Sequence, residues 1–167
     1  QHKSLKLLIL SGPFSKKESS KIKNLVKDKN LIPAFFIYDL MRNPFLDEFQ
    51  DQIILDDYLD KQEVSEIREQ TIHASTKWFL NRSVIEHLTF EGVNLGSLLQ
   101  YDSYNFIHAY LRISKIINNC ISFNKPKEVF VFKKNFFFRS LIMENNESFL
   151  EFIIEKELKK SSIDLVK

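Results

Sequence analysis

The sequence predicts an α/β fold, a Rossmann-like three-layer sandwich with a small, mainly parallel sheet flanked by helices. Three observations carry the expectation. Short apolar runs occur at Leu5–Leu10, Leu31–Leu40 and Glu128–Phe132, as in strands buried on both faces. Between them lie longer stretches with apolar residues three and four apart, the spacing of helices with one buried face. The resulting strand–helix–strand order implies a right-handed crossover between parallel strands.

"LKLLILS", Leu5 to Ser11, is apolar up to Gly12 and Pro13 and reads as the first core strand. Ser15 with Glu18 three positions on makes a capping box, and Ile22, Leu25 and Val26 recur at helical spacing, so a helix runs to about Lys29 and Asn30. In "LIPAFFIYDL", Pro33 restricts Ile32 and removes a donor, which places the second strand over Ala34–Tyr38. "QIIL" reads as a short edge strand. Asp60 then precedes a long amphipathic helix with Val64, Ile67, Thr71, Ala74 and Trp78 on one face.

Two of the three glycines stand in "FEGVNLGSLLQYDSYNFIHAY". Gly92 supplies permissive backbone before an Asn94 cap, Gly96 allows close packing of the first turn, and one helix is expected over Asn94–Ser122. Pro126 closes it, and Glu128–Phe132 forms the third core strand. A last helix, capped by Asn145 or Asn146, buries Phe149, Ile153, Ile154 and Leu158. "FFFRSLIM", Phe136 to Met143, fits either an extension of that helix or a hairpin strand. Ile163–Val166 reads as a strand cut short, and the chain is expected to be a fragment of a longer protein.

A chain of 167 residues, 44% hydrophobic and 28% charged, has the make-up of a single domain spanning 1–167. With 24 basic and 22 acidic residues it has no overall field favouring nucleic acid or an anionic membrane. No stretch approaches the roughly 18 apolar residues of a membrane span, and "QHKSLKLLIL" lacks the form of a secretory leader. Cys120 stands alone, which excludes an intramolecular disulfide or a thiolate zinc cluster and fits a reducing, cytoplasmic location. The glycine spacings of a dinucleotide fingerprint or P-loop, and the G-x-S-x-G elbow, are absent. His2, His73, His87 and His108 lack metal-ligand spacing. The expectation is therefore no cofactor and no metal, with the catalytic residues unassigned.

In an open parallel sheet, ligands lie outside the carboxyl ends of the strands, which here brings forward Ser11, Gly12 and Asp39. "SGPFS", including Ser15, offers backbone donors and hydroxyls at a helix start, either an anion site or an ordinary strand-to-helix turn. Asp102 shares a helical stripe with Leu95, Leu99, Phe106 and Ile113, where a buried carboxylate needs a partner. It is either a cleft residue or a structural acceptor. "FVFKKNFFFRS" interleaves aromatics with Lys133, Lys134 and Arg139, as a single-strand nucleic-acid platform does. It lacks the glycines of an RNP1 sequence, and a core strand followed by a charged turn also accounts for it.

Taken in order, "LKLLILSG", "IILDDYLDKQ", a helix ending in "STKWF", "FEGVNLGSLLQYD", a long helix and "NKPKEVFVF" resemble the N-terminal half of two-Rossmann (GT-B) glycosyltransferases of bacterial and archaeal surface-polysaccharide synthesis. The resemblance runs to about Phe132 and rests on Trp78, Gly92, Leu95, Gly96, Pro126 and the strand that follows. It implies an acceptor-side domain facing a sugar or lipid-linked glycan, with the nucleotide-sugar site mainly in a C-terminal Rossmann-like domain of the parent chain, and no catalysis by this segment alone. Gly12 stands by itself where many members carry a glycine-rich acceptor loop. The alternative is a non-enzymatic interaction or regulatory domain; single-strand nucleic-acid binding is a third.

Overall fold

The structure, a computed structural model, describes residues 5–132, 149–161 and 163–166. The chain divides into two compact units, Gln1–Tyr58 with Ile116–Lys167, and Leu59–Lys115.

The first unit holds a five-stranded sheet of β1 (Lys6–Leu10), β2 (Ile32–Phe35), β3 (Ile53–Ile54), β6 (Glu128–Val131) and β7 (Asp164–Val166), in the order β3-β2-β1-β6-β7. Every neighbouring pair is parallel, with Leu7 opposite Ile32 and Val129, and Leu10 opposite Phe35. With helices flanking this sheet, the unit has the α/β, Rossmann-like arrangement. Leu7 to Leu10 of the central strand are all buried, as a strand covered on both faces requires. Each such side chain contributes about 1.5–3 kcal/mol relative to exposure. Leu8 and Leu10 pack with Ile22, Leu31, Phe35, Leu46 and Phe130 in one cluster.

Helix α1 (Lys16–Lys29) starts on the Ser15–Glu18 capping box, with the Glu18 amide donating to Ser15 Oγ and the Ser15 amide to Glu18 Oε2. It stops at Asn30, whose φ of 51° is left-handed, a conformation asparagine tolerates. The second strand departs from expectation. It pairs from Ile32, includes Pro33, and ends at Phe35, after which α2 (Ile37–Arg42) begins. Beside it, β3 reaches only Ala34 and Phe35, so on that side Pro33 has no ladder partner to lose. Downstream, α7 (Phe149–Ser161) buries Ile153, Ile154 and Leu158 as its spacing predicts, whereas Phe149 is only half-buried and Glu151 and Glu157 are buried as well. The proposed caps Asn145 and Asn146, and the ambiguous Phe136–Met143, lie outside the described residues.

Six elements lie wholly within the second unit: α3 (Lys61–Lys77), a short 3-10 helix (Trp78–Leu80), α4 (Arg82–Leu88), a hairpin of β4 (Thr89–Phe90) with β5 (Val93–Asn94), and α5 (Leu95–Leu98). Asp60 caps α3 through a capping box with Glu63. Its buried stripe is Ile67, Thr71 and Ser75, each four apart, while Val64 is exposed, unlike the expected face. At the hairpin tip Glu91 and Gly92 have φ of 48° and 80°, the two positive values of a type I′ turn. Asn94 then caps α5, accepting from the Gly96 amide at 2.9 Å and donating to the Phe79 carbonyl at 3.0 Å. A Cβ on Gly96 would lie 2.5 Å from Phe79 Cβ, so this position accepts no side chain without a shift.

The single helix expected over Asn94–Ser122 is two. Leu99, at φ −90° and ψ 5°, separates α5 from α6 (Gln100–Asn124). The buried residues of α6 are Ile116, Ile117, Cys120 and Ile121, all in its last turns and all in the first unit. Burial pushes the Cys120 thiol up to about 11, and Asn124 Nδ2 reaches its sulfur at 3.6 Å and the Tyr58 hydroxyl at 2.8 Å.

Candidate functional site

At the carboxyl end of β1 the chain turns through Ser11, Gly12, Pro13 and Phe14 into the Ser15 cap. The polar groups of this loop are taken up by side chains. The Gly12 amide donates to Asp39 Oδ1 at 3.0 Å and the Phe14 amide to Asn43 Oδ1 at 2.8 Å. The Ser15 amide donates to Glu18 Oε2 at 2.7 Å, and Pro13 has no N–H. Asn43 Nδ2 also donates to the Gly12 carbonyl at 2.8 Å and the Asp39 carbonyl at 2.9 Å. Asp39 and Asn43 are four residues apart around the end of α2, so both face the loop. Together they staple the β1–α1 turn to α2.

This arrangement answers the anion-site expectation for Ser11, Gly12 and Ser15 in physical terms. A phosphate cradle needs outward-pointing amides at a helix start. Here those of Gly12, Phe14 and Ser15 are bonded within the chain, two of them to carboxylates. Asp39 is fully buried, and its Oδ2 has no hydrogen-bond partner. Burial raises its pKa above the ordinary carboxylate value, against the opposing pull of the Gly12 amide and the Arg42 guanidinium.

Around the staple, Tyr38 is 43% exposed, with its ring stacked on Phe36 at 5.8 Å and the Arg42 guanidinium 5.6 Å from its centroid. Its hydroxyl lies 3.4 Å from Ser11 Oγ, and its pKa is raised chiefly by burial. The start of α2 lacks a side-chain cap of its own. Asp56 Oδ2 serves instead, accepting from the Ile37 amide at 2.7 Å. Sequence reasoning missed Tyr38, Asn43 and Asp56 because a strand was expected through Tyr38. The Asp39-x-x-x-Asn43 spacing was the available signal, and it has meaning only on a helix.

Asp102 is not the buried carboxylate its stripe implied. It is exposed, in the first turn of α6, because the stripe is not a buried one: Leu95 and Leu99 are themselves exposed, and Phe106 and Ile113 are only partly buried. An acid in a first turn complements the helix dipole and needs no further partner. Lys133, Lys134 and Arg139 lie outside the described residues. No group of three or more His, Cys, Asp or Glu able to hold a metal occurs among the described residues.

The second unit carries an open groove of about 470 Å³. Helix α3 contributes Ile72, Ser75 and Thr76, α5 contributes Ser97 and Leu98, and α6 contributes Gln100, Tyr101 and Tyr104. None of these is charged. The hydroxyl protons of Ser75 and Thr76 go to the Ile72 carbonyl and that of Ser97 to the Asn94 carbonyl, which leaves oxygen lone pairs as acceptors. The Tyr104 ring stacks on His108 at 5.9 Å and 8°, whereas Tyr101 is 75% exposed. The two glycines of the Phe90–Tyr110 segment serve this geometry, one turning the hairpin and the other seating α5 against Phe79.

No family model, no curated protein and no solved structure matches this chain.

Proposed function

We propose that this chain is an acceptor-side α/β domain of a glycosyltransferase-like protein, one that holds a sugar or lipid-linked glycan and does not catalyse transfer alone. The observation that carries the reading is the closed β1–α1 loop, whose amides are engaged by Asp39, Asn43 and Glu18. The amides of Gly12, Phe14 and Ser15 are thereby closed to a nucleotide diphosphate, which fits a domain whose nucleotide-sugar site lies in another part of a longer protein. What the sheet end does present is hydroxyl chemistry, Ser11 beside a half-exposed Tyr38. Such groups suit the hydroxyls of a neutral acceptor better than a phosphate.

Saturation-transfer NMR with nucleotide sugars and oligosaccharides, on this chain and on its parent protein, tests the reading. The expected result is transfer to oligosaccharides and none to nucleotide sugars on this chain, with turnover in the parent. Tight nucleotide-sugar binding by this chain, or a parent protein that neither binds glycans nor turns over, would remove it.

A non-enzymatic interaction domain is the second reading, favoured by one observation. Phe90 and Leu98 of the second unit are 65% and 68% exposed, and large apolar side chains left in water commonly mark a contact surface. Sedimentation showing stable self-association, with no glycan response, would decide for it.

A further inference from the structure

We infer that the groove of the second unit is a binding site for an uncharged saccharide, with one sugar ring lying against Tyr101. The groove shares no residue with the sheet end, and the inference holds whether or not the chain belongs to a transferase.

Three features converge on this ligand class. The first is charge. With no ionisable group other than tyrosine among its lining residues, the groove has nothing to neutralise a phosphate, a carboxylate or an ammonium. The second is the aromatic surface. The C–H bonds on one face of a pyranose carry partial positive charge and pack against the electron-rich face of an aromatic ring. Tyr101 offers such a face, because it is largely exposed and stacks on no other ring among the described residues. Tyr104, one turn further along α6, lines the groove with His108 already stacked on its ring.

The third feature is the hydrogen-bonding inventory. Sugar hydroxyls donate and accept. Thr76 and Ser97 direct their own protons to backbone carbonyls, each at 2.6 Å, and so meet a ligand as acceptors. The Gln100 amide supplies both a donor and an acceptor. An apolar peptide would leave these groups unmatched, and burying them unpaired is costly. The volume of about 470 Å³ falls within the range of about 300–1,000 Å³ usual for small-ligand pockets, enough for a short oligosaccharide.

Chemical-shift mapping of the whole chain with maltotetraose, cellotetraose, chitotetraose and mannotetraose tests the inference. At least one should shift Gln100, Tyr101 and Tyr104, with an affinity on the order of 1 mM. Tyr101→Ala should weaken that binding by about tenfold or more, and Tyr101→Phe should retain it, since the ring face is kept. Because Tyr101 is exposed, the variants should fold, which circular dichroism verifies. Absence of groove shifts with all four sugars overturns the inference, as does binding unchanged by Tyr101→Ala. Shifts confined to Ser11 and Tyr38, abolished by Tyr38→Ala alone, overturn the groove site and leave the acceptor-domain reading in place. An equal response to a neutral apolar peptide also overturns it.

Discussion

The β1–α1 loop of the first unit and the groove of the second both bring backbone turns and polar side chains to a helix start, and they leave those groups in opposite states. In the loop, each available amide from Gly12 to Ser15 is bonded to a side chain of α1 or of the α2 end, and the staple residues Asp39 and Asn43 are buried. In the groove, the hydroxyls are anchored through their protons alone, while Tyr101 and Leu98 stand in solvent. A position that fold-level rules mark as a binding site can thus be consumed in holding the fold. Recognition chemistry then sits where hydrogen-bonding capacity and apolar surface are left over.

The same contrast extends to the cores, and the largest expected effect tests it there. Leu8→Ala removes a fully buried side chain from the centre of the parallel sheet and should cost about 2–5 kcal/mol in urea unfolding. In the second unit, Gly96→Ala forces a Cβ against Phe79 and should cost about 1–3 kcal/mol, with shift changes centred on α5 and the groove. A Gly96→Ala variant as stable as the parent would mean that α5 does not depend on this close approach.

Asp39→Ala leaves the Gly12 amide without its acceptor and should cost about 1–3 kcal/mol, whereas Asp39→Asn keeps an acceptor oxygen and should cost less. The pH dependence has a definite sign. The native pKa of Asp39 lies above its unfolded value, so the folded state holds the proton more tightly. The associated stability is full below the unfolded pKa and declines as pH rises through the native one. Unfolding midpoints measured upward from about pH 3.5 should therefore fall less steeply, or rise more, in Asp39→Asn than in the parent. Identical pH profiles would contradict the burial assigned to this carboxyl. The smallest stability effect belongs to the groove: Tyr101→Ala should change folding by no more than about 0.5 kcal/mol, since its side chain is largely in water.

Much of the architecture was legible in local chemistry. Ser15 with Glu18 and Asp60 with Glu63 make their capping boxes, Asn94 caps its helix, and Leu7 to Leu10 form the buried central strand. These depend on neighbours a few residues away, or on apolar runs that have few other places to go. The site was less legible. Asp39 was placed at a strand end because Ile37 and Tyr38 continue an apolar run, and only the end of pairing at Phe35, together with the Asp56 cap from a distant turn, makes that stretch helical.

By itself, the sequence determined the α/β class, the central strand, the starts of α1, α3 and α5, and the need for Gly92, for its backbone freedom, and for Gly96, for close packing. These follow from steric and hydrogen-bonding rules that act over one or two turns. Tertiary structure alone decided that the β1–α1 amides are closed by Asp39 and Asn43, that Asp102 faces solvent, and that α3, α5 and α6 line an open, uncharged groove. Each of those outcomes joins groups from separate elements, and no local spacing records which of them will meet.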